Sequence, residues 1–311
     1  IDVSHGTAEN AVDVVFPVLH GTYGEDGTIQ GLLKLANIPF VGASVLGSAV
    51  GMDKDVMKRL LRDAGLPVAR FIVVKRSDVI ARSEAPYHLV QGEATKQSQR
   101  DRHGRLGRPR DDKGISFNEI VKQLGLPFFV KPANAGSSVG VSKVHNEKEF
   151  ASAVNTAFSY DSKMLVEEFI KGREIECSVL GNENATASLP GEIIPTHEFY
   201  DYDAKYIDEK GAALQIPATL QQKKVKEVQA LAVKAFQTLC CEGMARVDFF
   251  LNKNGKFFVN EINTIPGFTK ISMYPKLWEA SGVPYSELID RLIQLAIERH
   301  KREQKLKTSY A

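Results

Sequence analysis

The stretch that most constrains the fold is "ARVDFFLNKNGKFFVNEINTIPGF", residues 245–268. Asn254-Gly255 lies between two Phe-rich runs, and Asn-Gly is the preferred pair for a two-residue type I′ hairpin loop because both positions need positive φ. Counting outward from that loop sets Lys253 against Lys256, Leu251 against Phe258, Asp248 against Glu261 and Arg246 against Asn263. Side chains alternate along a strand, so Arg246, Asp248, Glu261 and Asn263 share one face. Val247, Phe249, Leu251, Phe257, Val259 and Ile262 are read as the apolar set that gives the hairpin its core side. A four-residue loop would shift each pair by two and keep these faces. Carboxylates directly opposite each other repel by some tenths of a kcal/mol. Two readings account for them: a solvated face neutralised by Arg246, or a hard cation held by oxygen ligands, since Asp, Glu and Asn together suit Mg²⁺.

The chain has 311 residues, enough for two domains or three small ones. It is 43% apolar and 25% charged, an ordinary globular composition. A net charge of +2 gives no reason to expect nucleic acid or an acidic membrane as partner. Cys177, Cys240 and Cys241 form neither a CxxC pair nor a disulfide framework, which fits a reducing compartment. No apolar run has the length of a membrane span.

Along the chain, "VDVVFPVLHG" and "IPFVGAS" read as strands around a short helix. "MDKDVMKRLLRDAGLPVARFIVV" reads as helix, Gly65 cap and strand, a β/α alternation. Residues 76–114 are polar and without periodicity, with five arginines between 100 and 110. Interspersed aspartates and the near-absence of aromatics argue against a nucleic-acid arm there. "FFVKPANAGSSVGVSKV" reads as strand, Gly/Ser turn and strand, and "KMLVEEFIKGREIECSVLG" as strand, loop and strand. "YDYDAKYIDEKG" looks like a lid. Helices are expected over Glu147–Phe158, over Lys223–Leu239 and along Leu288–Ile297, each with apolar residues at helical spacing.

Single motifs leave alternatives open. "KPANAGSSVGV" has the small residues that let backbone N–H groups approach phosphate, yet it could equally be a hairpin turn. Lys131 precedes its glycines and a strand follows, so it is not a Walker loop. Lys54 fits a solvated first helical turn as well as a phosphate contact. His20, ahead of Gly21, Gly24 and Gly27, stands at a strand end where α/β sheets place ligands, or is an ordinary loop histidine.

In combination the pattern is specific. "HGTYGEDGTIQG", "MDKDVMKRLLRDAGLP", "FFVKPANAGSSVGVSKV", "EEFIKGREIECSVLG", "YDYDAKY", "ARVDFF" and "NEINTIPGFT", in this order, closely resemble the D-alanine–D-alanine ligase family over residues 12–75 and about 115–308. The resemblance implies an α/β (α+β) ATP-grasp fold: a partial Rossmann-like N-terminal domain over 1–43, a central domain over 44–166 with an atypical insertion at 76–114, and a C-terminal domain over 167–311. It implies ligation of two D-alanines with ATP through a D-alanyl phosphate, for peptidoglycan precursors. The cofactors implied are ATP, two Mg²⁺ replaceable by Mn²⁺, and K⁺ as activator. The setting implied is a cytoplasmic homodimer without nucleic-acid or membrane partners.

Residue by residue, the resemblance assigns Asp248, Glu261 and Asn263 to the metals, and Arg246 with the Gly267 amide to the acyl phosphate and the oxyanion. Lys54, Lys131 and Lys205 are assigned to phosphates; Glu167, Glu168 and Ile170 to the adenine edge; Phe199 to its face; Glu174 to ribose; and Phe250 to the nucleotide site. His20 belongs to the first D-alanine, Ser272 and Met273 to the second, and Ser137 with Tyr206 to a lid contact. Tyr206 favours D-alanine over D-lactate as the second substrate. The chain opens at Ile1, in what reads as the middle of a domain, and matches nothing to the family's "GG-x-S-x-E" segment. A truncated copy is therefore expected, with a D-alanine–D-lactate-type ligase or a catalytically impaired ATP-binding form as alternatives.

Overall fold

The structure, a computed structural model, describes residues 12–76, 79–80, 88–90, 114–195 and 212–307. The chain divides into two units, one of Ile1–Ala69, Asn134–Val139 and Ile170–Ala311, the other of Arg70–Ala133 and Gly140–Phe169.

The first unit begins with helices α1 (Thr28–Leu35), α2 (Val45–Met52) and α3 (Lys54–Asp63). Asp53 separates the last two: its carboxylate caps α3 by accepting from the amides of Asp55 and Val56. Gly65, at φ +74°, ends α3, and the Leu66 amide returns to the Leu61 carbonyl. The strands expected at "VDVVFPVLHG" and "IPFVGAS" shrink to a single parallel rung between Val15 and Phe40. The bonds of that rung run from the Val15 amide to the Pro39 carbonyl and from the Val41 amide to the Val15 carbonyl. Beyond it Val18 and Leu19 are about half exposed, so no further apolar burial extends the pairing.

The unit's sheet is antiparallel throughout. β8 (Gly172–Gly181) carries β9 (Thr186–Ala187) and lies between β10 (Gly191–Pro195) and β12 (Gly243–Asn252); β11 (Ala212–Gln215) flanks β10 and β13 (Phe257–Asn263) flanks β12. Helix α6 (Gln222–Thr238) buries Val225, Val228, Ala232, Ala235 and Phe236. That is the helical stripe expected, against Ile175, Val247, Phe249 and Val259 of the sheet. α7 (Met273–Ala280) and α8 (Tyr285–Glu303) join a second cluster around Tyr274, Trp278, Leu288 and Leu292. Near the end of α8 the buried Arg299 donates to the Gly42 and Phe40 carbonyls, with its guanidinium 4.4 Å above the Phe40 ring.

In the second unit β1 (Phe71–Lys75), β7 (Lys163–Glu168), β5 (Phe128–Pro132) and β6 (Ser142–Val144) form an antiparallel sheet in the order β1-β7-β5-β6. Helices α4 (Phe117–Leu124) and α5 (Glu147–Tyr160) belong to the same core, where Phe128 meets Phe150 edge-on at 5.7 Å. Ser116 and Glu119 form a reciprocal capping box at the start of α4. The polar segment without periodicity supplies three short strands, β2 (Val79–Ile80), β3 (His88–Val90) and β4 (Gly114–Ile115), paired antiparallel in that order. The rest of 76–114, the arginine cluster included, lies outside the described residues.

All three cysteines are free, with Cys177 and Cys241 buried and Cys240 exposed. Burial pushes the Cys177 thiol up to about 12 and the Cys241 thiol higher still. A thiol reagent at pH 8 should therefore modify one cysteine in the native protein, Cys240, and all three after unfolding, as a mass-resolved labelling series would read. Among the described residues no helix is long and apolar enough to cross a membrane.

Candidate active site

The hairpin β12–β13 is the site's floor, and its tip differs from expectation. Its loop has three residues, Lys253, Asn254 and Gly255, closed between Asn252 and Lys256 by a 3.0 Å bond from the Asn252 amide to the Lys256 carbonyl. The Gly255 amide also bonds the Asn252 carbonyl, and Gly255 takes φ +73°. This is a type I turn followed by a left-handed glycine, not the type I′ pair. Leu251 consequently faces Phe257 rather than Phe258, and Lys253 does not face Lys256.

Deeper in the hairpin a bulge between Asp248 and Phe249 absorbs Asn260 and restores the expected pairing, Asp248 with Glu261 and Arg246 with Asn263. The bulge turns both Asn260 and Glu261 onto the wall of one cavity.

Arg246 bonds Asp248 in a fork, Nε to Oδ1 at 2.7 Å and Nη2 to Oδ2 at 2.8 Å. Its Nε also lies 3.0 Å from Glu176 Oε2, and Asn263 Nδ2 donates to Asp248 Oδ2 at 2.9 Å. Burial by itself would lower the Arg246 pKa. The carboxylates of Asp248, Glu176 and Glu261 outweigh it and hold the guanidinium charged, well above the ordinary arginine value.

Three further segments complete the cavity, which has a volume of about 500 Å³ within the first unit. The first carries His20, whose Nδ1 is 3.2 Å from the Ile265 carbonyl, and Glu25, whose Oε2 accepts from the Gly21 amide at 2.7 Å. Buried Gln30 fastens this loop by donating to the Gly24 carbonyl at 2.7 Å. Gly24 is pressed so closely on Leu19 that a Cβ there would stand 2.6 Å from the Leu19 carbonyl oxygen. In the second segment Lys54 reaches the Ala135 carbonyl at 2.5 Å, and Ser137 and Ser138 take left-handed φ of 53° and 61°. The third runs from Gly267 to Met273: Ser272 Oγ accepts from the Thr269 amide at 3.0 Å, and Met273 opens α7.

His20, Lys54, Ser137, Glu174, Arg246, Asp248, Phe250, Glu261, Asn263, Gly267, Ser272 and Met273 thus line one cavity. In the second unit Lys131 pairs with buried Glu167 at 2.8 Å, and Glu168 binds Arg70 through Nε at 2.6 Å. Ile170 opens the last segment of the first unit. Phe199, Lys205 and Tyr206 lie outside the described residues.

Sequence reasoning missed Glu25, Glu176 and Asn260, all of which line the cavity. Glu176 was within reach of it, standing two residues after Glu174 on the same strand face. Glu25 and Asn260 owe their positions to loop closure and to a bulge, which carry no such period.

Burial raises the Glu25 pKa, with Glu261 adding to the rise, while the Gly21 amide, His20 and Arg246 oppose it. A carboxyl raised in the folded state costs stability as pH climbs from its unfolded value through its folded one. Glu25→Gln should accordingly melt higher than the parent at pH 7 and no higher at pH 4, in paired thermal scans at the two pH values.

The donor set of Asp248, Glu261 and Asn263 is all hard oxygen. The Asn263 amide turns its nitrogen to Asp248, leaving its oxygen as the acceptor end. Such a set suits Mg²⁺ and not a softer ion. Among the described residues no group of three or more His, Cys, Asp or Glu is gathered for a metal.

Comparison with known proteins decides the family. The model "D-ala D-ala ligase C-terminus" matches residues 106–294 and "D-ala D-ala ligase N-terminus" matches residues 2–43. The D-alanine--D-alanine ligase of Oceanobacillus iheyensis is 56% identical over 298 residues, covering 96% of this chain and 72% of that protein. The chain belongs to the D-alanine–D-alanine ligase family. D-alanine--D-alanine ligase A of Escherichia coli strain K12 is 53% identical over 309 residues, 99% of this chain and 76% of its own. Among solved structures, the D-alanine-D-alanine ligase from Coxiella burnetii superposes with a TM-score of 0.76 at 43% identity, over 95% of this chain and 70% of that one. VanG D-Ala:D-Ser ligase from Enterococcus faecalis gives 0.74 at 37%, over 92% and 73%. The two larger antiparallel sheets of this ligase-family chain are thus those of an ATP-grasp fold.

Proposed function

We propose that the chain joins two D-alanine molecules into D-alanyl-D-alanine, with ATP converted to ADP and phosphate, in peptidoglycan precursor synthesis. The observation that carries this reading is the Arg246–Asp248–Glu261–Asn263 face, opening on one cavity in a chain whose relatives are named for that ligation.

In the first step a carboxylate oxygen of one D-alanine bonds the γ-phosphorus as the bond to the β-phosphate oxygen breaks, and ADP leaves. In the second, the amine of another D-alanine adds to the acyl carbon, loses its proton, and phosphate departs with the C–O bonding pair. Negative charge on the acyl oxygen peaks in the tetrahedral state. Arg246 is the cation for it, held charged by its carboxylates, with the Gly267 amide as second donor. Lys54, Lys131 and Lys205 neutralise phosphates. Glu167, Glu168, Ile170 and Phe199 take adenine, Glu174 takes ribose, and Phe250 lines the nucleotide's place. His20 orients the first D-alanine, and Ser272 with Met273 the second. Ser137 and Tyr206 would make the lid contact that orders the site.

Asp248, Glu261 and Asn263 would hold Mg²⁺, two ions in all and replaceable by Mn²⁺, whose charge offsets the phosphate oxygens. K⁺ as activator, a homodimer and a cytoplasmic setting complete the reading.

The test is ADP release with Mg·ATP and D-alanine, run beside D-serine, D-lactate and L-alanine as second substrates, with products identified by mass. D-alanine-dependent turnover to the dipeptide supports the reading. A preference for D-serine or D-lactate as the second substrate would replace it with another ligase of the same chemistry.

A further inference from the structure

Asp248 stands in a row that crosses three adjacent strands. β8 sets Glu176 directly opposite it on one side, and β13 sets Glu261 opposite it on the other. Neighbouring strands are about 4.8 Å apart, so the backbones of Glu176 and Glu261 are separated by roughly 10 Å. Glu176 therefore flanks the row on the side away from Glu261 and Asn263. It belongs with the arginine, not with the oxygen donors for a cation.

In the structure Asp248 is committed to Arg246. Two guanidinium bonds and one from Asn263 occupy its oxygens. A carboxylate has about four lone-pair sites and three are taken here, so a divalent cation that binds through both Asp248 oxygens displaces a bond that Arg246 makes. A guanidinium displaced from that fork would lose the orientation on which its role depends. Glu176 removes that difficulty, because its Oε2 is already 3.0 Å from the same Nε, in a pair whose side chains are only 19% and 11% exposed.

We propose that Glu176 is the positioning residue that keeps the Arg246 guanidinium in the site when Asp248 turns to a divalent cation. The idea rests on the ligase reading for the presence of that cation. It makes the Arg246–Asp248 fork a resting arrangement, and Glu176 the partner that lets the fork open without releasing the arginine.

The test is a double-mutant cycle read by Mn²⁺ binding, using the paramagnetic signal of free Mn²⁺ with a non-hydrolysable ATP analogue present. Glu176→Gln should weaken Mn²⁺ binding about tenfold, because cation and arginine then compete for one carboxylate. In an Arg246→Leu background, where no competition exists, the same change should alter binding by less than about twofold. Glu176→Asp should keep most of the parent affinity. Equal weakening in both backgrounds would make Glu176 a mere background charge and overturn the proposal, as would parent affinity in Glu176→Gln.

A second readout covers the case in which Arg246→Leu does not fold. The Arg246 Nε–H resonance of the parent should stay dispersed and protected when Mg²⁺ and the analogue are added, and should collapse to the solvent-exposed position in Glu176→Gln. An unchanged resonance in Glu176→Gln would overturn the proposal. A parent protein that binds neither Mn²⁺ nor the analogue would overturn the ligase reading itself.

Discussion

Arg246→Ala is expected to lower kcat by about 10³-fold while moving the KM for ATP little, because in the role proposed for it the guanidinium acts on charge that appears only in the tetrahedral state. The substitution also strands Asp248 and Glu176, and removing one partner of a buried ion pair costs about 3–5 kcal/mol. A lower melting temperature should therefore accompany the lost rate. Arg246→Lys separates the two effects. It restores a positive charge and much of the stability, yet a single ammonium cannot reproduce the planar guanidinium's several fixed donors, which reach a carboxylate and the substrate at once. Its rate should remain at least about tenfold below the parent, and steady-state kinetics beside a thermal scan would read both quantities. A kcat within twofold of the parent in Arg246→Ala would remove Arg246 from the chemistry.

Asp248→Asn is expected to have an effect of similar size by a different route. The amide keeps the carboxylate's shape and can still accept one bond from Arg246. It removes the formal charge from an oxygen set that would hold Mg²⁺. Charge stabilisation of that kind is worth several kcal/mol, so kcat should fall on the order of 10²-fold or more. The Mg²⁺ concentration giving half the residual rate should rise in parallel. Glu261→Gln should behave alike, whereas a change at Phe250 on the same face should raise the KM for ATP and leave the Mg²⁺ dependence unmoved. A metal titration of activity across the three variants distinguishes the two patterns.

Much of the site's floor is legible because strand periodicity is strict. Arg246, Asp248, Glu261 and Asn263 fall on one face for any hairpin loop that keeps the alternation, and the structure pairs them as counted. The tip was illegible. Asn-Gly favours a two-residue loop locally, but Gly255 serves equally well as the left-handed closer of a three-residue loop, and the extra residue reappears as the bulge at Asn260. Nothing local distinguishes those two solutions, since the choice depends on how Phe257 and Val259 meet the core beneath.

Helix α6 is legible for the same reason as the floor, its buried residues recurring at helical spacing. The N-terminal strands are not, because Val14, Val15 and Phe16 have β character that becomes pairing only where a partner lies alongside, and Phe40 supplies one rung. Glu25 reaches the cavity through a loop held by Gln30 and by the Gly24–Leu19 contact. Both are long-range choices that no spacing rule expresses.

The central claim is that this face and cavity carry a carboxylate through an acyl phosphate. The most direct measurement is turnover of D-alanine labelled with ¹⁸O in its carboxylate, in unlabelled water with Mg·ATP, followed by mass analysis of the phosphate released. Phosphate expelled from an acyl phosphate carries one substrate oxygen, so the expected result is one ¹⁸O in each phosphate, in step with dipeptide. Phosphate carrying no ¹⁸O while dipeptide accumulates would contradict that account.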